Sequence, residues 1–393
     1  MHESRFSQFS WQASGAGFLA AFVGFAGSFA VVLQGLHGAG ANNAQAGSGL
    51  LFLSIAAGLS GLVLSWRTRM PVAVAWSTPG AALLATSALP ADGYATAIGA
   101  YLVSGIAYIA IGGWRPLGRA IAAIPPHLAN AMLGGVLLQL CFAPFHALAE
   151  LPLLATPILV AWVVGGLFNH LLAVPSAVVA FAVVVAVETP VDTVVISSWL
   201  PDAVWVTPEF SWSAILNISV PLLLVTMASQ NISGAAVLQS FGYKLNAGPL
   251  IATTGVGTAL SAPFGAHSIN LAALTAALCA GEDAHADPGR RYWAGIFNGI
   301  ALVWLGLCST IVISLVSLAP ALLLQAIAGL ALMSAFCNAT FAAFAQPHTR
   351  GASAITFLMT ASGIAIAGIS GAFWGLLVGA AYGAARTRFA STR

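Results

Sequence analysis

The stretch that decides the fold is 258–281, TALSAPFGAHSINLAALTAALCAG, which lies in a chain of nearly continuous apolar segments. It begins with small residues and a proline, passes through His267, Ser268 and Asn270, and only then takes up the apolar spacing of a helix. An extended backbone inside a bilayer leaves amide groups unpaired, which is tolerated only where the segment is buried in protein or lines a cavity. We therefore interpret this stretch as half of a binding site within a membrane.

The composition excludes a soluble protein. Of the 393 residues, 59% are hydrophobic and 6% are charged, whereas soluble domains carry about 25% charged residues. The four cysteines lie singly in apolar runs, so neither a disulfide nor a metal site is indicated, and no cofactor is expected. The sequence also lacks a nucleotide-binding fingerprint, which argues against direct coupling to ATP.

Hydropathy predicts an all-α polytopic membrane protein with about fourteen crossings. The predicted crossings are 15–36, 49–65, 71–89, 94–113, 118–143, 153–171, 175–188, 214–239, 249–261, 263–281, 292–318, 320–344, 351–367 and 369–385. With the N-terminus inside, every Lys and Arg falls on the inner side, and the outer loops carry acidic residues but no basic ones. The positive-inside rule therefore places both termini in the cytoplasm, and we expect no removable signal peptide.

The two halves of the chain resemble each other weakly. Stretches 28–35 and 125–138 are similar to 233–240 and 319–332, in the same order. The positions matched in the two broken crossings are Ser77 with His267, Thr78 with Ser268 and Gly80 with Asn270. Seven crossings per half require the second copy to be inverted, and inverted repeats with broken helices at matching places are typical of secondary transporters.

The crossing over 71–89 is interrupted in the same manner as 263–281. Residues 72–76 suit a strand, Thr78 can cap a helix and Pro79 fits its first turn, with Ser268 as the candidate cap of the second half-helix. If the half-helices meet head to head, their free N–H groups and positive dipole ends form a cradle for an anion. The alternative is two ordinary crossings kinked by Pro and Gly.

Further candidate residues lie in other crossings. Gln230 and Asn231 belong to the most polar run inside a predicted crossing, where they could bind a substrate or serve only as contacts between helices. Phe25 lies in a small, aromatic stretch suited to the wall of a flat apolar ligand. His267 could carry a coupled proton, although a lone histidine is more often structural. Since the interiors of the predicted crossings contain no Asp, Glu, Lys or Arg, a neutral or anionic substrate fits best.

The strings TMASQN, ending at Asn231, and GVGTALSAPFGAHSINLAALTAALCAG, at 255–281, resemble the benzoate:proton symporter (BenE-type) family over nearly the whole chain. A more remote likeness links GVGTALSAPFG to uracil and xanthine permeases. The resemblance implies fourteen crossings in a seven-plus-seven inverted repeat, with short strands and half-helices in crossings 3 and 10. It also implies a bacterial inner-membrane protein, often a homodimer, in which a core domain (1–114 and 214–319) moves against a gate domain (115–213 and 320–393).

Two departures bear on the substrate. The chain has Asn231-Ile-Ser-Gly234 where the family is expected to have Asn-Leu-Pro-Gly, so the helix geometry there is open. The acidic residues that nucleobase permeases carry in crossings 8 and 10 are absent, which disfavours a nucleobase and suits a carboxylate, because a carboxylate needs donors. The same absence leaves the coupled proton without an obvious carrier.

The resulting hypothesis is a transporter, and not an enzyme, that imports benzoate or a related aromatic carboxylate together with a proton. The donors expected to hold the carboxylate are Ser77, Thr78, His267, Ser268 and Asn270, close to Gly80, with Gln230 and Asn231 orienting it and Phe25 facing its ring. The alternatives are a nucleobase:proton symporter on the same fold and an anion channel or uniporter. A hydrolase using Ser268 and His267 is disfavoured because adjacent side chains of a strand point to opposite faces.

Overall fold

The computed structural model describes residues 9–86, 93–114, 125–188, 201–310, 319–366 and 369–391. The first half contains α1 (Trp11–Ala26), α2 (Phe29–Gly38), α3 (Asn43–Thr68), β1 (Val74–Trp76), α4 (Thr78–Thr86), α5 (Tyr94–Gly113), α6 (Pro126–Glu150), α7 (Pro152–Phe168) and α8 (Ala173–Glu188). The second half contains α9 (Trp212–Ser240), α10 (Ala247–Ser261), β2 (Ile269–Leu271), α11 (Ala273–Ala280), α12 (Tyr292–Leu307), α13 (Ala321–Phe344), α14 (Arg350–Ala361), β3 (Ala365–Ile366), β4 (Ile369–Ser370) and α15 (Gly371–Ser391).

The described helices are those of a membrane protein. Six of them are long and apolar enough to cross a bilayer, and α1 with α2 makes a seventh if this pair, bent by 41°, is one crossing. Several helix bounds agree with the predicted crossings, most closely α5 with 94–113. The count of fourteen crossings and the inverted repeat stay predictions.

Local sequence explains where several helices begin and bend. In α3, Asn42 and Gln45 exchange side-chain-to-backbone hydrogen bonds of 2.9 Å each, which form a capping box. The predicted crossing 15–36 is interrupted at Gly27 and Ser28, where α1 ends and α2 begins in a new direction.

Two predicted crossings differ from the structure in their extent. The crossing over 351–367 is not one helix: α14 has 12 residues, about 18 Å of helix, and the β3–β4 hairpin follows. Gly363, with φ of 65°, accounts for the end of α14 because its left-handed backbone cannot continue the helix. The helix predicted over 118–143 extends to Glu150. Residues 87–89, 118–124, 311–318 and 367 of the predicted crossings lie outside the described residues.

The broken crossings meet through an antiparallel strand pair. Strands β1 and β2 pair in the register Val74–Leu271, Ala75–Asn270 and Trp76–Ile269, and each leads into a short helix, α4 or α11. Further bonds run from the Ser77 N–H to the Ser268 carbonyl and from the Ala272 N–H to the Ala73 carbonyl, both 3.0 Å. The extended segments thus satisfy each other's backbone groups, and the expectation of two interrupted crossings is confirmed.

The remaining helices pack in two sets, and the first set contacts the strand pair through α3 and α10. Helix α3 packs on α12, α5 on α10 and α1 on α12, whereas α6 packs on α13, α14 on α15 and α7 on α8. Contacts of α2 with α13 and of α4 with α6 join the two sets. The predicted division into core and gate domains stays a proposal.

Candidate functional site

Ser77 caps the first half-helix. Its hydroxyl accepts a hydrogen bond from the Gly80 N–H (3.1 Å) and its carbonyl accepts one from the Ala81 N–H (2.8 Å). This is the pattern of a helix N-cap, so the prediction that Thr78 is the cap is wrong by one residue, while Pro79 does occupy the first turn. A Cβ at Gly80 would collide with a methyl of Leu222, so Gly80 permits close packing of α9 against the start of α4.

The second half-helix starts without a side-chain cap. Helix α11 begins at Ala273, and the residue at its N-cap position, Ala272, has no side-chain acceptor for the first amide groups. Ser268 lies before β2 and is therefore not a cap. Ala272 follows β2 and precedes α11, as Ser77 follows β1 and precedes α4. The predicted matches of Ser77 with His267, Thr78 with Ser268 and Gly80 with Asn270 are therefore wrong. The first amide groups of α11 have no acceptors within the helix, and the Thr275 hydroxyl is buried without a partner in the protein.

Four buried hydroxyl groups join the two broken crossings to their neighbours. The hydroxyls of Ser77 and Thr226 are 2.7 Å apart, and the Ser268 hydroxyl donates to the Tyr108 hydroxyl over 3.2 Å. The bond from the Ser77 N–H to the Ser268 carbonyl joins these two pairs. The start of α4, helices α5 and α9 and the residue before β2 thereby share one polar cluster whose members are all fully buried.

Asn231 holds the end of β2. Its Oδ1 accepts the Leu271 N–H (3.0 Å) and its Nδ2 donates to the Met227 sulfur (3.4 Å). The side chain lies in a π-helical turn, Met227–Asn231, a widening often found at functional positions. The helix geometry that the departure from the family pattern left open is thus a π turn that ends at Asn231. Gln230 belongs to the same turn and is half-buried.

His267 is fully buried, and neither ring nitrogen has a hydrogen-bond partner in the protein. Its ring lies edge-on to Tyr101, with 6.3 Å between centroids. No bond joins His267 to Ser268, whose hydroxyl faces Tyr108 instead. Asn270 is also fully buried; its Nδ2 donates to the carbonyl of Leu271, and its Oδ1 has no partner.

Phe25 lies beside the first broken crossing. Its ring is edge-on to Trp76 at 5.4 Å, and the Trp76 indole N–H donates to the Ser28 hydroxyl (2.8 Å). One residue earlier, a Cβ on Gly24 would lie 3.1 Å from the Thr275 methyl. Helix α1 therefore brings an aromatic wall to β1 and a close approach to the start of α11.

Sequence reasoning missed Thr226 and the tyrosines of α5. Tyr94, Tyr101 and Tyr108 recur at intervals of seven residues and all are buried, so they form a stripe on one face of α5. The seven-residue spacing could have indicated that these tyrosines are buried together, because tyrosines at a lipid interface need not lie on one face of a helix. Thr78, by contrast, is half-buried, and no hydrogen bond of its side chain is seen.

A comparison with protein families decides the identity. The family model described as "BenE: Benzoate membrane transport protein" matches residues 7–385. The chain belongs to the BenE family. BenE family members are transporters and not enzymes, so the hydrolase alternative is excluded. Among curated relatives, the inner membrane protein YdcO of Escherichia coli (strain K12) is 37% identical over 366 residues, 93% of each chain. The benzoate membrane transport protein of Acinetobacter baylyi is 34% identical over 373 residues, 94% of each chain.

Solved structures show the fold of this BenE protein. The transmembrane domain of the cyanobacterial bicarbonate transporter BicA superposes with a TM-score of 0.61 at 15% identity, covering 96% of this chain and 98% of that one. SLC26A9 superposes with a TM-score of 0.64 at 15% identity, covering 98% and 67%. At this identity the likeness concerns the fold alone.

Proposed function

We propose that the protein imports benzoate or a related aromatic carboxylate by proton symport. The observation that carries the proposal is the uncapped start of α11, whose Thr275 hydroxyl is buried without a partner in the protein. Free N–H groups at a helix N-terminus favour a negative charge. Among the described residues the only buried charged side chain is Arg291, which precedes α12, so an anion at the strand pair would meet donors and no competing carboxylate.

The aromatic part of the ligand follows from the neighbourhood of Phe25. The Phe25 and Trp76 rings supply flat apolar surface next to β1, and the approach of Gly24 to Thr275 brings that surface close to the start of α11. A ligand with a carboxylate at one end and a ring at the other would therefore satisfy both features. The relative from Acinetobacter baylyi, named for benzoate transport, supports the same substrate class.

His267 is the proposed proton carrier. It is the one buried histidine among the described residues, and both of its ring nitrogens lack partners in the protein. An imidazole can accept a proton near neutral pH, and its charge would then favour a carboxylate nearby. Protonation and substrate binding would stabilise each other, which is the requirement for symport.

Transport would proceed by movement of the core domain against the gate domain. The pairing of α3, α12, α5, α10 and α1 apart from α6, α13, α14 and α15 supports two bodies. We further propose that both termini are cytoplasmic, from the distribution of basic residues, and that the protein forms a homodimer.

The test is uptake of labelled benzoate into proteoliposomes. Saturable uptake that accumulates benzoate under an inward proton gradient, and that fails in Asn231→Ala, is the expected result. Asn298→Ala is the matched control, because Asn298 is equally buried but lies in α12, where its Nδ2 donates to the Gly17 carbonyl over 3.4 Å. Competition by uracil or xanthine would favour a nucleobase symporter, and flux indifferent to the proton gradient would favour a channel or uniporter.

Proton coupling has a separate test. In His267→Gln, exchange of external for internal benzoate should persist, while accumulation driven by the proton gradient is lost. His170→Gln, at an exposed histidine, is the control and should accumulate normally. Accumulation by His267→Gln equal to that of the wild type would assign the proton to another group.

A further inference from the structure

A second candidate binding region is lined by none of the residues of the two broken crossings. A cavity of about 470 Å³ lies between the starts of α6 and α14 and the end of α15. Its lining includes His127, His348 and Arg386 and contains no carboxylate. We call it the basic cavity. Three groups that are or can become cationic converge here without an acidic residue, so the cavity favours an anion.

The sequence builds the basic cavity from two similar stretches. Pro126-His127 opens α6, and Pro347-His348 precedes α14, 221 residues later (348 − 127 = 221). Both histidines therefore lie at the beginning of a helix, where the positive end of the dipole also favours negative charge. The side chain of Thr349, the N-cap residue of α14, accepts no hydrogen bond from the first N–H groups of that helix.

The remaining lining of the basic cavity is apolar. Leu128, Ala352, Ala380 and Ala384 supply aliphatic wall. The Tyr382 ring covers the first turn of α14, since a Cβ on Gly351 would lie 2.9 Å from it. A cationic rim over an aliphatic wall matches an amphiphilic anion, with a charged head and a hydrocarbon body.

We propose that the basic cavity binds the phosphate head group of an anionic phospholipid, with part of an acyl chain along the aliphatic wall. Transmembrane helices begin and end near the membrane boundary, where lipid phosphates lie, and basic cavities between helices at the inner side are suited to such head groups. The occupant is then a structural lipid and not the transported substrate, so this proposal is independent of the transport reaction.

The experiment measures thermal unfolding of the purified full-length protein in detergent. Phosphatidylglycerol should raise the midpoint of unfolding by binding in the basic cavity. Phosphatidylcholine, inorganic phosphate and benzoate should cause no rise that depends on this cavity. In His348→Gln/Arg386→Gln the apparent affinity for phosphatidylglycerol should fall about tenfold, since the variant removes the Arg386 charge and replaces the imidazole at position 348. Native mass spectrometry should show correspondingly less co-purified phosphatidylglycerol.

The control is Lys244→Gln/Arg290→Gln, which removes an exposed lysine and a half-buried arginine paired with Asp287, neither of which lines the cavity. It should retain the full response to phosphatidylglycerol, and the midpoints of all three proteins without lipid should agree within a few degrees. An equal loss of response in the control would show general attraction to lipid and overturn the proposal. So would a phosphate or benzoate effect that disappears in His348→Gln/Arg386→Gln, because a free anion would then be the occupant.

Discussion

Replacing Asn231 by alanine tests how the broken crossing is held. Asn231 and Leu271 are 0% and 1% exposed, and the Asn231 Oδ1 accepts the Leu271 N–H at 3.0 Å. The alanine variant leaves that N–H buried and unpaired, which costs about 1–3 kcal/mol. Because 1.4 kcal/mol is a factor of ten, this corresponds to about 5- to 150-fold in the folding equilibrium. Leu271 lies two residues before α11, so we expect benzoate binding to weaken as well.

Two further variants separate the loss of stability from the loss of benzoate binding. Asn231→Asp keeps an acceptor for the Leu271 N–H and adds a negative charge near the proposed carboxylate site. Stability should then be lost less than in Asn231→Ala, while benzoate binding is still weakened. Asn298→Ala removes one long hydrogen bond to a carbonyl of α1, so its cost should be nearer 0.5–1 kcal/mol.

The assays are unfolding in mixed micelles for stability and calorimetric titration with benzoate for affinity. Equal destabilisation by Asn231→Ala and Asn298→Ala, with benzoate affinity unchanged in both, would refute the role given to Asn231.

The remaining predictions concern the two half-helices and the polar cluster. Ser77→Ala should destabilise the protein by about 0.5–2 kcal/mol through the lost cap, seen as a lower unfolding midpoint; an unchanged midpoint would contradict the capping role. Gly24→Leu should abolish benzoate binding because its side chain would collide with α11, whereas Gly15→Ala, with open space around its Cβ position, should bind normally; retained binding in the first variant would place the ligand elsewhere. Tyr108→Phe should lower benzoate affinity by removing the partner of the Ser268 hydroxyl, and an affinity equal to that of the wild type would exclude this hydroxyl from ligand positioning.

Much of the fold could be predicted because its signals are local. Apolar length gives the crossings, and the small, Pro- and Gly-containing residues before His267 identify a broken helix. The cap of α4 was misplaced by one residue because Ser77 and Thr78 both have capping side chains, and only the paired backbone decides between them.

The correspondence between the halves could not be taken from sequence alone. Small residues are common in both broken crossings, so several alignments of the two sequences are equally good. In the structure, the pairing of Ala75 with Asn270 shows which residues of the two strands correspond. The sequence-based prediction of the site omitted Thr226 and Tyr108 for a related reason. Both lie in apolar helices with no local pattern, and only the fold brings them to Ser77 and Ser268.

The most direct test of the central claim is a structure of the protein bound to 4-bromobenzoate, with the bromine located by anomalous scattering. The account predicts carboxylate oxygens about 2.7–3.2 Å from amide nitrogens at the start of α11, and the ring beside Phe25 and Trp76. A carboxylate bound instead by a cationic side chain, or a bromine far from the β1–β2 strand pair, would contradict it.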